Sequence, residues 1–543
     1  MYVRDCLRLL WICLLISLAV IVVADHEDSP SRIVLVSSLE GNCQSVGAVT
    51  TCSGFKFDGD DERATFDLPT EVRIADDGTT YEVGDEETPR TLIFENCTFT
   101  NFPLRLFYTL EVSELDMRRC GIRYIYWENF SIGADKLVVL LLTDNQIDEV
   151  PAKTFRGAGN LQFLFLNRNN LSKLDKDAFV DLKELQYLDL KENRLVELPK
   201  DVFSDLKSLR YLGLDDNQLT TIESDLFAHK PGLLSVSIQN NRLREVGEYA
   251  FPRAHRMQYV DLSHNPQLVV LLLNINATNL TVRNCSLDRV NLYGSVTNVD
   301  LSDNRVRELY FADSEALEHL VLRNNSLMQL ASLSRVPRLR HLDVADNPHL
   351  GRLPHGWQTP HLEMLVLRNT GQVELPLEAL QGMPNLQKLD ISANNITDID
   401  ISSFTTLSQL THFFIHANNW NCFSLRTLMD VVIRPNDITY TVDEIDPNFP
   451  GEYIRGIACM YRMSEKEPLD SSSEISASVE SSPKQSNSDP NEVEKLRQEL
   501  KAVVQHFETK FDLILSQLGK LNEQMQAFEI LNKTVWSQVT LSV

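Results

Sequence analysis

The amino-acid sequence predicts an α/β leucine-rich-repeat solenoid, a horseshoe with disulfide-bounded caps, followed by a flexible linker and a C-terminal α-helical coiled coil. Three observations carry that prediction. A leucine–asparagine phrase recurs from Cys97 to Asn418, cysteines flank the recurring stretch at both ends, and apolar residues return every seven positions from Val493 to Val535.

The chain opens with Arg4 and Arg8 ahead of an apolar run, Leu9 to Val23, that ends at Ala24 before Asp25. Positive flank, short apolar stretch and small exit residue predict a signal peptide over residues 1–24, hence an extracellular protein. The run is short for a membrane span, and no later segment is long and apolar enough to supply one. Acidic residues outnumber basic ones 76 to 51, a formal charge of -25. Such a field repels nucleic acid and anionic lipid, so neither is an expected partner.

Residues 25–91 form an N-terminal extension and cap, in which Cys43 and Cys52 bracket a short segment and are expected to pair. The repeat array spans 92–421. Its phrase is L-x-x-L-x-L-x-x-N-x-L, as in LQFLFLNRNNL, where Leu161, Leu164, Leu166, Asn169 and Leu171 hold the spaced positions. The Asn position recurs at Asn145, Asn169, Asn193, Asn217, Asn241 and Asn265, then at Asn304, Asn325, Asn347, Asn394 and Asn418; Cys97, Cys120, Cys285 and Thr370 replace it. One unit alone cannot bury its leucines, whereas stacked units share a continuous core and pair their strands as a parallel sheet. The Asn or its substitute should turn inward and satisfy the backbone of the bend. At about 4.8 Å per strand the array is roughly 70 Å along its sheet.

A phenylalanine recurs every 24 residues on the convex side, at Phe155, Phe179, Phe203, Phe227 and Phe251. It should form a spine filling the wider back. Between Asn265 and Asn347 the repeat shortens to 19–22 residues and this Phe disappears, so the back and the curvature should change there.

Residues 422–463 form the second cap, in which Cys422 is expected to bridge Cys459; closing that loop contributes about 4 kcal/mol. Cys97 and Cys120 occupy the same position in adjacent units, near enough to bridge; two buried thiols standing in for Asn is the alternative. Cys285 is then left over, buried and inert.

Residues 464–491 are rich in Ser, Pro and charge and predict a disordered linker. Over 492–540, Val493, Leu500, Phe507, Ile514, Leu521, Phe528 and Val535 interleave with Val504, Phe511, Leu518 and Met525 in a heptad pattern. This a/d seam predicts a coiled coil that pairs with a second copy or a related chain. An amphipathic helix folded back on the solenoid is the alternative.

Sequons stand at Asn96, Asn129, Asn170, Asn276, Asn279, Asn284, Asn324, Asn395 and Asn532; in a secreted chain several should carry glycans, although a coil-core Asn532 could not. No phosphate loop, metal motif or nucleophile elbow occurs, so neither a catalytic activity nor a cofactor is expected. His319, His341 and His412 share one strand position but are separated by Met364 and Lys388, which makes a metal site improbable. On the inner face Phe163, Tyr187, Tyr211 and Tyr259 align at one exposed strand position, interrupted by Ser235. Such an aromatic row suits protein binding, though Tyr-Leu-Asp-Leu also fills this repeat without function. An Asp column (Asp189, Asp261, Asp300, Asp343 and Asp390) is weaker evidence for the same reason.

The layout of leader, repeat array, cysteine cap, linker and coiled coil resembles the mosquito leucine-rich-repeat immune proteins. The local likeness is greatest in IHANNWNCFSLRTLMDVVIRP, Ile415 to Pro435, and in IFENCTF with Pro103 to Phe107 behind it. The resemblance implies a secreted haemolymph protein, paired with a relative, that binds a complement-like thioester protein. The sequence departs from the family in its cap, where Met460 stands in place of a second Cys, and in having no cysteine in the linker or coil. A covalent dimer is therefore not expected. An adhesion or developmental ligand-binder, and a direct receptor for microbial surfaces, are the alternatives on the same fold.

Overall fold

A computed structural model describes residues 91–461 with short breaks at 104–105, 108–110, 254, 314, 334–335, 355–356 and 377–379. Ahead of residue 91 it describes only strand segments between 20 and 82. The predicted linker and heptad segment lie outside the described residues, as does all of the leader but Val20–Val22. Those three residues pair antiparallel with Thr65–Asp67, a pairing lost if the leader is cleaved.

Each repeat contributes one short strand, and the strands stack in parallel from Thr91–Glu95 to His412–Phe414. The register is conserved from unit to unit, as where Phe163 pairs with Tyr187 and Leu164 with Leu188. The middle residue of each three-residue strand, such as Leu140, Leu164, Leu188 or Leu212, points into the core and is buried. Its two neighbours face out, as the alternation of a strand requires.

The Asn position works as the sequence predicts. Asn169 donates through Nδ2 to the carbonyls of Leu142 (2.9 Å), Leu166 (3.0 Å) and Asn167 (3.3 Å), while its Oδ1 accepts the Ile147 amide (3.0 Å). One side chain thus satisfies its own bend and the preceding turn, so the buried backbone of each loop is paired through its neighbour. Asn193, Asn217 and Asn241 repeat the pattern. Thr370 fills it with a hydroxyl donated to Leu367 at 2.7 Å.

The cysteine substitutes settle the open alternative against a bridge. Cys97 and Cys120 are separate buried thiols. Each sulfur is turned toward carbonyls as the Asn amide is: Cys97 lies 3.3 Å from the Glu95 oxygen, and Cys120 lies 3.6 Å from those of Phe94 and Arg118. The expected Cys97–Cys120 disulfide is therefore corrected: both remain buried thiols, each sulfur engaged with carbonyls of its own and the preceding turn. Cys285 is also a buried thiol, pushed up to about 11 by burial. It accepts the Asn265 amide at 3.4 Å.

On the back, the Phe spine is present and longer than its 24-residue period suggests. Successive rings from Phe130 through Phe155, Phe179, Phe203 and Phe227 to Phe251 lie 5.3, 6.1, 6.3, 5.8 and 5.5 Å apart. Strands on the front step by about 4.8 Å. The wider spacing behind makes the sheet the concave face.

In the shortened repeats the back changes, as expected, and becomes a second parallel sheet. Val270–Asn274 pairs with the first half of Arg289–Asp300, which pairs in turn with Glu308–Asp313. With strands on both faces the two sides step equally, so this stretch lacks the wedge that curves the Phe-spine units. Gly294 connects its strand's two halves at φ 108, where an added Cβ would stand 2.4 Å from the Ile275 oxygen. No L side chain fits there.

At the front, the hairpin Asn42–Val46 and Val49–Ser53 adds to Thr91–Glu95, extending the sheet by two strands. Cys52 is disulfide-bonded and stands opposite Cys43 in the hairpin register. At the far end Asn421 caps the helix Cys422–Leu428, accepting the Phe423 amide at 2.8 Å. Leu425, Leu428 and Met429 bury over the last repeat. Cys422 bridges Cys459, whose strand Ile457–Met460 pairs with Trp420–Asn421.

Candidate functional site

The strand register brings the predicted aromatic row together. Phe163, Tyr187, Tyr211, Ser235 and Tyr259 stand side by side on five neighbouring strands. Ring centroids of Phe163 and Tyr187 are 6.5 Å apart, and those of Tyr187 and Tyr211 are 6.3 Å apart. Phe163 departs from expectation: it is 8% exposed and contributes support rather than contact surface. Phe165, two residues along the same strand, is half-exposed and packs on Tyr187 at 5.0 Å. It occupies the position of the Asp column, pairing in register with Asp189.

The Asp column is mostly structural. Asp189 and Asp261 are buried and accept the amides of Lys191 (3.0 Å) and Ser263 (2.9 Å). Asp343 and Asp390 do the same for Ala345 and Ser392 at 2.9 Å. Asp300 accepts the Ser302 amide at 3.0 Å and also pairs with Arg283. Each carboxylate therefore closes the turn leaving its own strand. Burial pushes the Asp189 carboxyl up to about 6, against the lowering effect of the Lys191 amide and ammonium.

A charged arrangement that the sequence reading missed sits beside it. Lys191 passes over Gly213 to reach Asp215 at 2.9 Å. A Cβ on Gly213 would meet Lys191 Cε at 2.6 Å, so the absence of a side chain is what makes room. Asp215 also accepts the Ser237 hydroxyl and the Gln239 amide. The only sequence signal was a glycine in a column otherwise occupied by side chains. Next to this group Asp215, Asp216, Gln239, Asn240 and His264 line a shallow hollow of about 360 Å³.

His319 and His341 stack at 4.4 Å, with His319 held toward Asn298 Oδ1 at 2.7 Å. Burial, then the neighbouring His341, lowers the His319 imidazole pKa. His412 is four strands from His319, beyond Met364 and Lys388. Among the described residues no three His, Cys, Asp or Glu side chains converge as metal ligands.

The predicted sequons divide by burial. Asn96, Asn284, Asn324 and Asn395 are exposed on the loops that leave the strands. Asn170, Asn276 and Asn279 are half-buried, and the last two donate through Nδ2 to the carbonyls of Arg253 and Gln258. Asn129 is a correction: it is 1% exposed, and its Nδ2 donates to Phe102 at 3.0 Å and Pro103 at 3.3 Å. A glycan there is incompatible with the fold. Asn532 lies outside the described residues.

The leucine rich repeat family model matches residues 135–195, 183–236 and 360–430. The fold is a leucine-rich-repeat solenoid. Among curated proteins, nephrocan of Mus musculus is 29% identical over 158 residues, covering 27% of this chain and 30% of nephrocan. The match thus spans less than a third of that relative. Among solved structures, the LRIM1/APL1C complex aligns at 21% identity with a TM-score of 0.53, over 89% of this chain and 78% of that one. The APL1 leucine-rich-repeat domain aligns at 22% identity with a TM-score of 0.49, over 69% and 91%. These likenesses are of fold. In this leucine-rich-repeat chain, no described helix is long and apolar enough to cross a membrane.

Proposed function

We propose that this leucine-rich-repeat protein is a secreted binding protein of innate immunity that captures another protein on its concave sheet. The observation that carries the reading is the aromatic surface of Phe165, Tyr187, Tyr211 and Tyr259 on neighbouring strands. Large rigid side chains on a preorganised sheet lose little freedom on binding and dominate interface energies. The partner implied by the family resemblance is a complement-like thioester protein. The two disulfide-bearing ends serve as caps, with Cys43 paired to Cys52 at the front, and glycans occupy the exposed sequons. The heptads of 492–540 pair the chain with a second copy or a relative.

Ser235 supplies a direct test. Ser235→Asn creates the sequon Asn-Val-Ser in the middle of the row, on a strand with Ser237 already in place. The glycosylated variant should be secreted normally and lose partner capture from haemolymph, read by affinity purification without reductant. Replacing Tyr187 and Tyr211 with Ala should weaken capture about tenfold or more. Undiminished capture by a variant shown to carry the glycan would move the binding face elsewhere.

A further inference from the structure

Beyond the aromatic row itself, Ser235 leaves a gap between Tyr211 and Tyr259 on the concave face. We infer that the furrow over Ser235 and Ser237, between Tyr211 and Tyr259, receives an arginine side chain from a basic segment of the protein partner. This deepens the reading above and rests on it.

Three features of the grid of side chains point there. First, Ser235 separates Tyr211 from Tyr259 in the register, and Ser237 continues the low ground along its strand, while Lys191 covers Gly213 on the adjoining strand. Two tyrosines two strands apart stand about 10 Å from each other. A planar cation between them lies about 5 Å from each ring, inside the roughly 6 Å reach of a cation–π contact. Second, the furrow leads into the hollow lined by Asp215, Asp216, Gln239, Asn240 and His264. Asp215 is neutralised by Lys191, whereas Asp216 is exposed and bonded to the neutral Asn240 amide, so its charge is not cancelled. Asp261, behind Tyr259, is buried and accepts that tyrosine's hydroxyl, with Arg283 close to both, so the available charge at this end of the concave face is that of Asp216. Third, the whole chain is strongly acidic, which draws cationic segments toward the surface.

Arginine fits better than lysine. Its guanidinium is planar and stacks on aromatic faces, which suits a gap between two rings. A lysine ammonium would surrender more hydration for one point contact. The uncharged hydroxyl-rich alternative, a saccharide ring between the tyrosines, would use the same walls but gain nothing from the charge of Asp216.

The test uses the full secreted chain and three fluorescent peptides of one sequence, carrying two arginines, two lysines or two citrullines. The arginine peptide should bind, the lysine peptide at least threefold more weakly, and the neutral citrulline peptide at least tenfold more weakly. Tyr211→Ala and Tyr259→Ala should each lower arginine-peptide affinity about fivefold or more, Asp216→Asn about threefold, and Tyr211→Phe should retain it. Equal binding to wild type and both Ala variants would overturn the inference, showing only general attraction to an acidic chain. Binding of a soluble neutral glucan, abolished by the same Ala variants while the arginine peptide does not bind, would overturn it in favour of a saccharide site. Loss of haemolymph capture by glycosylated Ser235→Asn without any arginine-peptide binding would leave the concave face as the interface and reject only its arginine specificity.

Discussion

Asp189 shows how a single residue in a repeat acquires individual behaviour. Its column partners close turns in the same way, yet it is the one flanked by a glycine and by a lysine committed elsewhere. Its folded pKa, about 6, lies above the usual carboxylate value because burial penalises the charge. A raised folded pKa means that the folded state holds the proton more tightly. The associated stability is fully present below about pH 4 and is lost as pH rises through about 6. At neutral pH the ionised group therefore costs at most about 3 kcal/mol. Asp189→Asn keeps an oxygen for the Lys191 amide and removes the charge. It should raise the thermal midpoint at pH 7.5, keep about half of that advantage at pH 5 and lose most of it by pH 4, as read by circular dichroism melts. A midpoint lowered at all these pH values would mean that Lys191 stabilises the carboxylate more than burial opposes it. The Asn position is the opposite case, since there one side chain serves two units by the same hydrogen bonds throughout. Cys and Thr can replace Asn because the essential demand is a small side chain directed at the carbonyls of the bend.

At the scale of the element, the Phe spine determines the wedge. Each ring is fully buried between its neighbours, so removing one opens a cavity that rigid adjoining turns cannot close. Phe179→Ala should cost about 3 to 5 kcal/mol, measured by urea unfolding of the secreted protein. A loss below about 1 kcal/mol would show that the back collapses readily and that its spacing is not set by the rings. In the shortened repeats a strand replaces the ring as the filler of the back. Among the described residues no further layer covers that sheet, and Val270, Leu272 and Tyr310 are exposed on it. The change of element follows from length, since fewer residues remain between one front strand and the next.

For the whole molecule, the testable property is assembly through the proposed coiled coil. Burying each seam residue gains roughly 1.5 to 3 kcal/mol, enough over seven heptad positions to exceed the cost of ordering the helix. The secreted protein should scatter light as an oligomer at micromolar concentration, and a form truncated after Pro490 as a monomer. Detergent without reductant should separate the pair, because the cysteines within the solenoid are a disulfide or buried thiols. Two monomers would reject the coiled coil, and a dimer sensitive to reductant would place an accessible cysteine at the interface.

The sequence by itself determined the solenoid, its parallel register, the Phe spine and the Cys422–Cys459 bridge. In a repeat protein each unit contacts mainly its neighbours, so a spacing of 19 to 25 residues translates almost directly into position. It could also place Tyr187, Tyr211 and Tyr259 on one face, because side chains in successive strands share a register. What only the tertiary structure decided was how much of each side chain remains at the surface and where it turns. Phe163 is buried, Asn129 is consumed by the Phe102 and Pro103 carbonyls, and Cys97 and Cys120 stay unbridged thiols. Lys191 crosses a glycine to reach the next strand's aspartate. Periodicity gives the direction of a Cβ, but burial and partner choice depend on the rotamers and on the residues two strands away.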